Sequence, residues 1–133
     1  MAVGRIITGR LATGLGQGRH FTRLDWARRQ FVEKLAIDPF PGTVNVIVED
    51  PRSFDLWKEL AATPGVPIDN PNDGPHDCDA RCYPVAIEGR IDAAIVLPDV
   101  AGYPPAQIEM IAPVAVREAL AISDGDMVDL VIR

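Results

Sequence analysis

Three glycines alternate in the segment GLGQGRHF, at Gly14, Gly16 and Gly18, and an arginine and a histidine follow them directly. Glycine lets backbone N–H groups approach an anion closely, and the guanidinium of Arg19 adds charge and paired hydrogen bonds. The segment is therefore typical of a loop that holds a phosphate or a nucleotide. It is not a dinucleotide-binding fingerprint, because Arg19 stands where the third glycine would fall, and it is not a P-loop, because no Gly-Lys-Ser/Thr follows. A tight barrel corner without a ligand explains the glycines equally well.

Two polar residues, Thr43 and Asn45, lie two positions apart in the segment PFPGTVNV, which alternates as a strand after the Pro41-Gly42 turn. Side chains at this spacing point to the same face of a strand, about 7 Å apart along the backbone. Magnesium that also binds phosphate oxygens needs only one or two protein ligands, and two neutral side-chain oxygens suit it. The alternative is a pair of polar side chains on the solvent-facing side of a strand.

A third group of residues, His76, Cys78 and Cys82, has the side-chain types of a zinc or other soft-metal site. A closed structural site needs four ligands, and the fourth would have to come from a neighbouring aspartate or from the distant His20. Two cysteines do not make a disulfide framework, and in a reducing compartment they stay as thiols. The competing interpretation is a thiol in a loop and a thiol that begins a buried strand.

The elements that must position these groups are mainly short strands. Strands are predicted over residues 4–13, 43–48, 82–87, 91–97, 108–113 and 127–132, helices over about 24–36, 53–61 and 114–120, and a long surface loop over 63–79. Asp25 is placed to cap the first helix, and Asp124-Gly125 forms a tight turn before the last strand. The pattern favours a mainly β (α+β) fold, a closed or nearly closed barrel with two or three peripheral helices. With 133 residues, one domain over 1–133 is expected.

The charge balance is acidic, with 13 basic against 19 acidic side chains and a net charge of −6. A phosphate backbone would repel such a chain, so nucleic acid is not expected as a partner. The basic residues cluster once, and that patch suits a small polyphosphate: Arg19, Arg23, Arg28 and Arg29, with His20 among them. No apolar run approaches the about 18 residues that cross a membrane, and no export signal is present, so we expect a cytoplasmic protein without a membrane partner.

Five segments, GLGQGRHF, PFPGTVNV, DAAIVLP, QIEMIAPVAVREAL and DGDMV, follow one another in the order and approximate spacing of the CTP-dependent riboflavin kinases best known from archaea. The chain resembles that family over nearly its whole length, most specifically in the runs P-F-P-G-T-x-N-V and E-x-I-A-P-V-x-x-R-E. The resemblance implies a six-stranded cradle-loop (RIFT-type) barrel. It also implies a magnesium-dependent transfer of the terminal phosphate of CTP to the ribityl 5'-hydroxyl of riboflavin, which gives FMN and CDP.

The resemblance also assigns roles to residues of this chain. Thr43 and Asn45 would hold Mg²⁺, and Glu109 would contact the flavin. Glu109 is the candidate catalytic residue, to orient the ribityl chain or accept the hydroxyl proton, although a base is not obligatory for phosphoryl transfer. A strand carboxylate that faces solvent is the alternative for Glu109. The cytidine nucleotide would lie against Leu15, Gly16, Gln17, Gly18, Arg19, His20, Val114, Ala115, Val116 and Arg117.

The resemblance also places Gly102 at the flavin, but here the chain departs from the family pattern, because Gly102 stands at the approximate position of a family threonine just ahead of a tyrosine. Two alternatives therefore stay open: a non-catalytic sensor that binds a cytidine nucleotide or a flavin, and a kinase for a different small alcohol. A barrel similar to the AbrB-type DNA-binding proteins shares the DGDMV turn, but the acidic balance argues against it. The expected partners are riboflavin or FMN and CTP or CDP, and a monomer or small homo-oligomer is expected.

Overall fold

Seven strands and three helices make up the part of the chain that the structure, a computed structural model, describes: residues 5–13, 22, 24–72, 74 and 78–133. In chain order they are β1 (Ile6–Ala12), α1 (Asp25–Leu35), β2 (Val44–Ile47), α2 (Pro51–Ala61), β3 (Val66–Ile68), β4 (Ala80–Ile87), β5 (Ile91–Pro98), β6 (Gln107–Ile111), α3 (Val116–Leu120) and β7 (Met127–Ile132).

Six of these strands close into an antiparallel barrel in the order β4, β5, β6, β2, β1 and β7. The barrel closes where β7 returns to the second half of β4, with Val85 opposite Ile132 and Ile87 opposite Leu130. The prediction of a mainly β fold with a six-stranded barrel and up to three helices is therefore confirmed. Among the described strands, closure of the barrel leaves only the first half of β4 without a barrel neighbour on one side. That half of β4 pairs with a seventh strand instead.

That partner is β3, which pairs with Ala80–Cys82 at the start of β4. The prediction of one long loop over 63–79 is therefore wrong for residues 66–68. The strand has only three residues, and Pro67 at its centre is a residue that normally argues against a strand. Its pairing with β4 is a tertiary contact, which the local sequence pattern does not predict.

Strand alternation divides the buried side chains between two cores. The first fills the barrel and includes Val46 of β2, Ile108 of β6 and Leu130 of β7. The second lies on the outer face of the barrel, under α1 and β3, and it holds α1 in place, because a fully buried phenylalanine contributes about 1.5–3 kcal/mol. Its members include Phe31, Ile37, Ile68, Cys82, Val96 and Ile111.

The helix starts differ from the sequence-based expectations. Leu24 is the capping position of α1 and makes no side-chain cap, whereas Asp25, the predicted cap, is the first helical residue. The second helix begins at Pro51, two residues before the prediction, because the carboxylate of Asp50 accepts a hydrogen bond from the N–H of Ser53 at 3.0 Å. Within the described ranges, no helix has the length and apolar character needed to span a membrane.

Candidate functional site

One row of three residues crosses neighbouring strands at the predicted site. Asn45 on β2 stands opposite Ala12 of β1 on one side and opposite Glu109 of β6 on the other. Residues paired in this way point to the same face of the sheet. Because Val46 and Ile108 point into the barrel, the row lies on the outer face. Ala12 is the last residue of β1 and lies two residues before the GLGQGRHF segment, residues 14–21, which we call the glycine segment.

Both polar members of the row are buried, with Asn45 3% and Glu109 1% exposed. The alternatives that placed these two side chains on a solvent-facing strand are therefore wrong. Glu109 Oε1 accepts a hydrogen bond from the Tyr103 hydroxyl at 2.6 Å and another from Gln107 Nε2 at 3.1 Å. Burial raises the pKa of Tyr103, and the carboxylate that accepts its hydrogen bond raises that pKa further.

The amide oxygen of Asn45 has no hydrogen-bond partner among the described residues. A buried oxygen without a donor costs about 1–3 kcal/mol, which makes this atom a candidate to bind a ligand. A hard cation is the ligand that suits a neutral oxygen at this position, and Thr43, two residues earlier, adds a hydroxyl oxygen. The two residues therefore fit Mg²⁺ by the chemistry of their oxygens.

A cavity of about 230 Å³ is lined in part by Thr43 and Val44, the two residues that precede Asn45. One wall is the turn before β2, from Phe40 to Val44, and the other runs from Val114 to Glu118, with Ala112 beside it. The two walls are joined where the Phe40 N–H donates to the Ala112 carbonyl at 2.7 Å. The structure thus brings Thr43 together with the four residues predicted to bind the nucleotide near the last helix: Val114, Ala115, Val116 and Arg117. Val114 and Ala115 precede α3 and are not helical, contrary to the prediction.

The glycine segment lies outside the described residues. The six nucleotide contacts predicted there therefore also lie outside them: Leu15, Gly16, Gln17, Gly18, Arg19 and His20. Its flanks are described, and each is fastened to one wall of the cavity. On one flank, Arg117 Nη2 lies 3.3 Å from the Ala12 carbonyl and 3.5 Å from Thr13 Oγ1. On the other, Thr22 Oγ1 accepts a hydrogen bond from the Gly42 N–H at 3.3 Å.

Asp124 holds Arg117 at this position, with 2.6 Å between Asp124 Oδ1 and Arg117 Nη2. The Thr13 hydroxyl also donates to this carboxylate. These two contacts, the hydroxyl first and the guanidinium second, lower the pKa of Asp124. The Asp124 carboxylate orients the guanidinium, and the arginine side chain is about half exposed, so an anion in solvent can reach it.

A second cavity, of about 380 Å³, borders the hydrogen-bond network of Glu109. Tyr103 and Gln107 line it and connect it to the buried carboxylate. Most of its other lining residues are apolar, among them Trp57, Leu97, Pro98 and Pro104, and its charged lining residues are Lys58, Arg81 and Asp99. Gln107 was not predicted as a site residue from the sequence, although it lies two residues before Glu109 and therefore points to the same face of the strand.

Gly102 adjoins this second cavity without lining it. It is exposed and has a φ of +81°, in the left-handed region that favours glycine. Its predicted contact with a flavin remains a prediction.

The two cysteines belong to the outer core. Cys82 is fully buried, and burial raises the pKa of its thiol from 9.0 to about 12, while Cys78 packs half-buried against the same cluster. A thiol of this kind stays protonated at neutral pH, whereas zinc binds thiolate. His76 lies outside the described residues, and within those residues there is no group of three metal-ligating side chains.

Comparison with known proteins places this arrangement in a family. A family model for CTP-dependent riboflavin kinases, described as "Domain of unknown function DUF120", matches residues 11–132. The riboflavin kinase of Methanosarcina mazei is 46% identical over 123 residues, which cover 92% of this chain and 54% of the relative. The riboflavin kinase of Methanocella arvoryzae is 40% identical over 128 residues, 96% of this chain and 57% of the relative.

The riboflavin kinase of Ignicoccus hospitalis is 35% identical over 127 residues, 95% of this chain and 70% of the relative. This chain thus spans little more than half the length of the Methanosarcina and Methanocella proteins. The match extends over both walls of the smaller cavity and over the row that carries Asn45 and Glu109. The chain belongs to the CTP-dependent riboflavin kinase family.

Proposed function

We propose that this chain transfers the terminal phosphate of CTP to the ribityl 5'-hydroxyl of riboflavin, in the presence of Mg²⁺, and so makes FMN and CDP. The observation that carries the proposal is the pairing of Asn45 with Glu109, because each residue is linked to a different cavity through its neighbours. One cavity is bordered by Thr43 and Arg117, and the other reaches Glu109 through a tyrosine and a glutamine. A transferase must hold a donor and an acceptor next to each other, and two neighbouring cavities can do this.

The donor side would use Thr43, Asn45 and Arg117. Thr43 and Asn45 would hold the metal through neutral oxygens, which leaves the metal's charge available to the phosphates. When bound, Mg²⁺ neutralises the charge that develops on the transferred phosphoryl group. Arg117, directed by Asp124, would contact a phosphate oxygen, and the N–H groups of the glycine segment would surround the rest of the polyphosphate.

The acceptor side would use the 380 Å³ cavity. Its apolar walls, with Trp57 and Leu97 among them, suit a planar aromatic ring, and the polar ribityl chain would extend toward Glu109. The buried carboxylate would orient the 5'-hydroxyl or accept its proton. Because phosphoryl transfer depends mainly on alignment and charge, Glu109 would act first by positioning.

The test is to incubate the purified chain with riboflavin, Mg²⁺ and each nucleoside triphosphate in turn, and to measure FMN by chromatography with fluorescence detection. We expect FMN with CTP and little with ATP, GTP or UTP. Glu109→Gln should reduce the rate by about 10²-fold or more. The matched control is Glu33→Gln, on the exposed face of α1, which should leave the rate unchanged.

Two outcomes would contradict the proposal in different ways. If no triphosphate yields FMN while CDP still binds, the chain is a nucleotide sensor or a kinase for another alcohol. If FMN forms equally well with all four triphosphates, the CTP preference is wrong and only the kinase activity stands.

A further inference from the structure

Gln107 is a buried amide side chain at the boundary between the second cavity, of about 380 Å³, and Glu109. It is 7% exposed and lines that cavity, whereas Glu109, 1% exposed, is not among the lining residues. A ligand that enters the cavity and extends toward Glu109 therefore meets Gln107 and Tyr103 first. Because buried polar groups normally have hydrogen-bond partners, the contacts of Gln107 indicate which ligand group the cavity accepts.

The contacts with Glu109 and Tyr103 fix the orientation of the Gln107 amide. Gln107 Nε2 lies 3.1 Å from Glu109 Oε1 and 3.4 Å from the Tyr103 hydroxyl oxygen. Glu109 Oε1 also accepts a hydrogen bond from the Tyr103 hydroxyl at 2.6 Å, so it acts as an acceptor. The amide therefore turns its NH₂ group toward Glu109 and its oxygen the opposite way.

The amide oxygen of Gln107 is left as an acceptor. None of the residues that the structure describes donates a hydrogen bond to it. It is not sealed within the protein, as the Asn45 amide oxygen is, so it borders the open space that Gln107 lines. The Tyr103 hydroxyl cannot supply the missing donor, because its proton is directed at Glu109. An acceptor in this position matches a ligand that brings a donor of its own.

We infer that Gln107 selects the acceptor substrate, because its amide oxygen accepts a hydrogen bond from a hydroxyl on the chain that extends toward Glu109. The inference rests on the proposed function and adds Gln107 to it as a specificity-determining residue. The apolar lining, with Trp57 and Leu97 in it, suits the ring and does not distinguish one chain from another. A chain that is alkyl or acidic where it passes Gln107 brings no donor, so it is disfavoured.

The test compares two flavins that share a ring and differ in the chain. Riboflavin carries the ribityl hydroxyls, and lumiflavin carries a methyl group in their place. Dissociation constants are measured by quenching of flavin fluorescence. Gln107→Met keeps the length of the side chain and removes the acceptor, while Tyr103 still holds Glu109. A hydroxyl left without its partner corresponds to about 5-fold or more in affinity, so riboflavin binding should weaken by that factor and lumiflavin binding by less than about twofold.

Gln30→Met is the matched control. It makes the same change on α1, where the Gln30 amide donates to the carbonyls of Trp26 and Asp69 and lines neither cavity. It should leave the affinity for both flavins unchanged. Gln107→Leu, which also removes the acceptor, is measured beside Gln107→Met, so that one unstable variant does not decide the result. Thermal unfolding shows whether each variant keeps the fold.

The kinetics of FMN formation give a second measurement. In Gln107→Met the KM for riboflavin should rise by the same factor as the dissociation constant. A variant that only weakens the fold would lower the amount of active protein and leave KM unchanged.

The possible results separate the inference from the proposed function. Unchanged riboflavin affinity in Gln107→Met would overturn the inference, and so would an equal loss for riboflavin and lumiflavin, because Gln107 would then shape the site of the ring. If the loss is confined to riboflavin but no nucleoside triphosphate yields FMN, the proposed function fails and the selection of the chain by Gln107 stands. A protein that binds neither flavin would overturn both.

Discussion

Asn45 and Glu109 are direct neighbours across β2 and β6, and both side chains are buried on the outer face of the barrel. Opposed residues of antiparallel strands have Cβ atoms about 4.5–5.5 Å apart. The proposed metal ligand and the proposed acceptor contact are therefore separated by one strand spacing, which is the scale on which a phosphoryl group moves between two oxygens. The relationship depends on strand register alone, and a shift of one residue would abolish it.

The first prediction concerns the metal. Asn45→Ala removes the buried oxygen that has no donor among the residues the structure describes, so we expect the variant to fold at least as stably as the unchanged protein in the absence of ligand. It should lose most of the additional thermal stabilisation that Mg²⁺ gives to the CDP complex. Thermal shift with CDP, with and without Mg²⁺, measures this difference. The matched control is Asn72→Ala, at an exposed asparagine, and a magnesium effect that survives in Asn45→Ala would show that the metal binds elsewhere.

The second prediction concerns the hydrogen bond between Tyr103 and Glu109. Tyr103→Phe removes a donor to a buried carboxylate, and hydrogen bonds to charged groups contribute about 1.5–3 kcal/mol. Tyr83→Phe is the control, because its hydroxyl donates to the neutral carbonyl of Thr63 at 2.8 Å and should cost about 0.5–1.5 kcal/mol. Urea unfolding at pH 7 gives both values. Equal losses, or a larger loss in Tyr83→Phe, would contradict a stronger hydrogen bond at Tyr103 than at Tyr83.

Much of this fold was predictable, because barrel strands carry their own alternation and turn signals. The last strand, for example, begins after Asp124-Gly125, and its predicted bounds agree with those observed. Strand β3 was not predictable, since its three residues pair only because β4 offers a free edge. The start of α2 was misplaced because the cap is an aspartate followed by a proline, two residues more typical of a turn.

The candidate site likewise has one part that the sequence predicts and another part that only the structure shows. The segment that carries Thr43 and Asn45 was recognisable from its residues, but the burial of Asn45 was not, since it depends on neighbouring strands and on what covers them. Nothing in the local sequence around Gln107 or Phe40 predicts that they belong to the site. Gln107 belongs to it because β6 places its side chain beside Glu109. Phe40 belongs to it because its backbone is hydrogen-bonded to Ala112 on the other wall of the smaller cavity.

The third prediction concerns Arg117. Arg117→Ala should weaken CDP binding by about 10-fold or more and leave cytidine binding unchanged, because a charge-assisted hydrogen bond to phosphate is lost. Arg10→Ala is the control, since Arg10 forms an equally exposed ion pair with Glu49 at 2.7 Å but lines neither cavity. Calorimetry at two salt concentrations checks the charge, because added salt should reduce the difference between the two variants. An equal loss for cytidine would refute a phosphate contact.

The fourth prediction is a pH dependence that arises from Cys82. The native thiol keeps its proton up to about pH 12, whereas an unfolded thiol loses it near 9.0. Between these values the native state binds more protons than the unfolded state, so the free energy of unfolding falls as pH rises, by up to about 1.4 kcal/mol per pH unit. Urea unfolding between pH 9 and 10 should show this slope in Cys78→Ala and a flatter one in Cys82→Ala.

The same pair of residues should differ in reactivity. A thiol reagent applied to the native protein at pH 8 should label Cys78 quickly and Cys82 only on unfolding. Rapid labelling of both would mean that Cys82 is not held in the core.

The fifth prediction concerns Gly102. Gly102→Thr places a β-branched side chain at a φ of +81°, so we expect a loss of about 1–3 kcal/mol in the free energy of unfolding. No steric clash contributes, because a Cβ at this position meets no atom within 4 Å. Ala101→Thr is the control, with an expected change within about 0.5 kcal/mol.

These two variants also test the flavin contact predicted near this turn. If a hydroxyl there contributes to flavin binding, Ala101→Thr supplies it without backbone strain, and riboflavin affinity measured by fluorescence quenching should rise. Unchanged affinity would argue against a hydroxyl contact at this turn.

The fastening of the glycine segment at Thr13 and Thr22 has a consequence for how donor choice can change. Both fasteners lie outside the segment, one on the Arg117 side and one at Gly42. We therefore expect that replacing or lengthening the sequence between them would leave the strand pairs that hold Asn45 and Glu109 as they are. If the proposed function holds, we expect that a barrel built in this way can acquire a new phosphate donor, in evolution or in the laboratory, while its acceptor site stays the same.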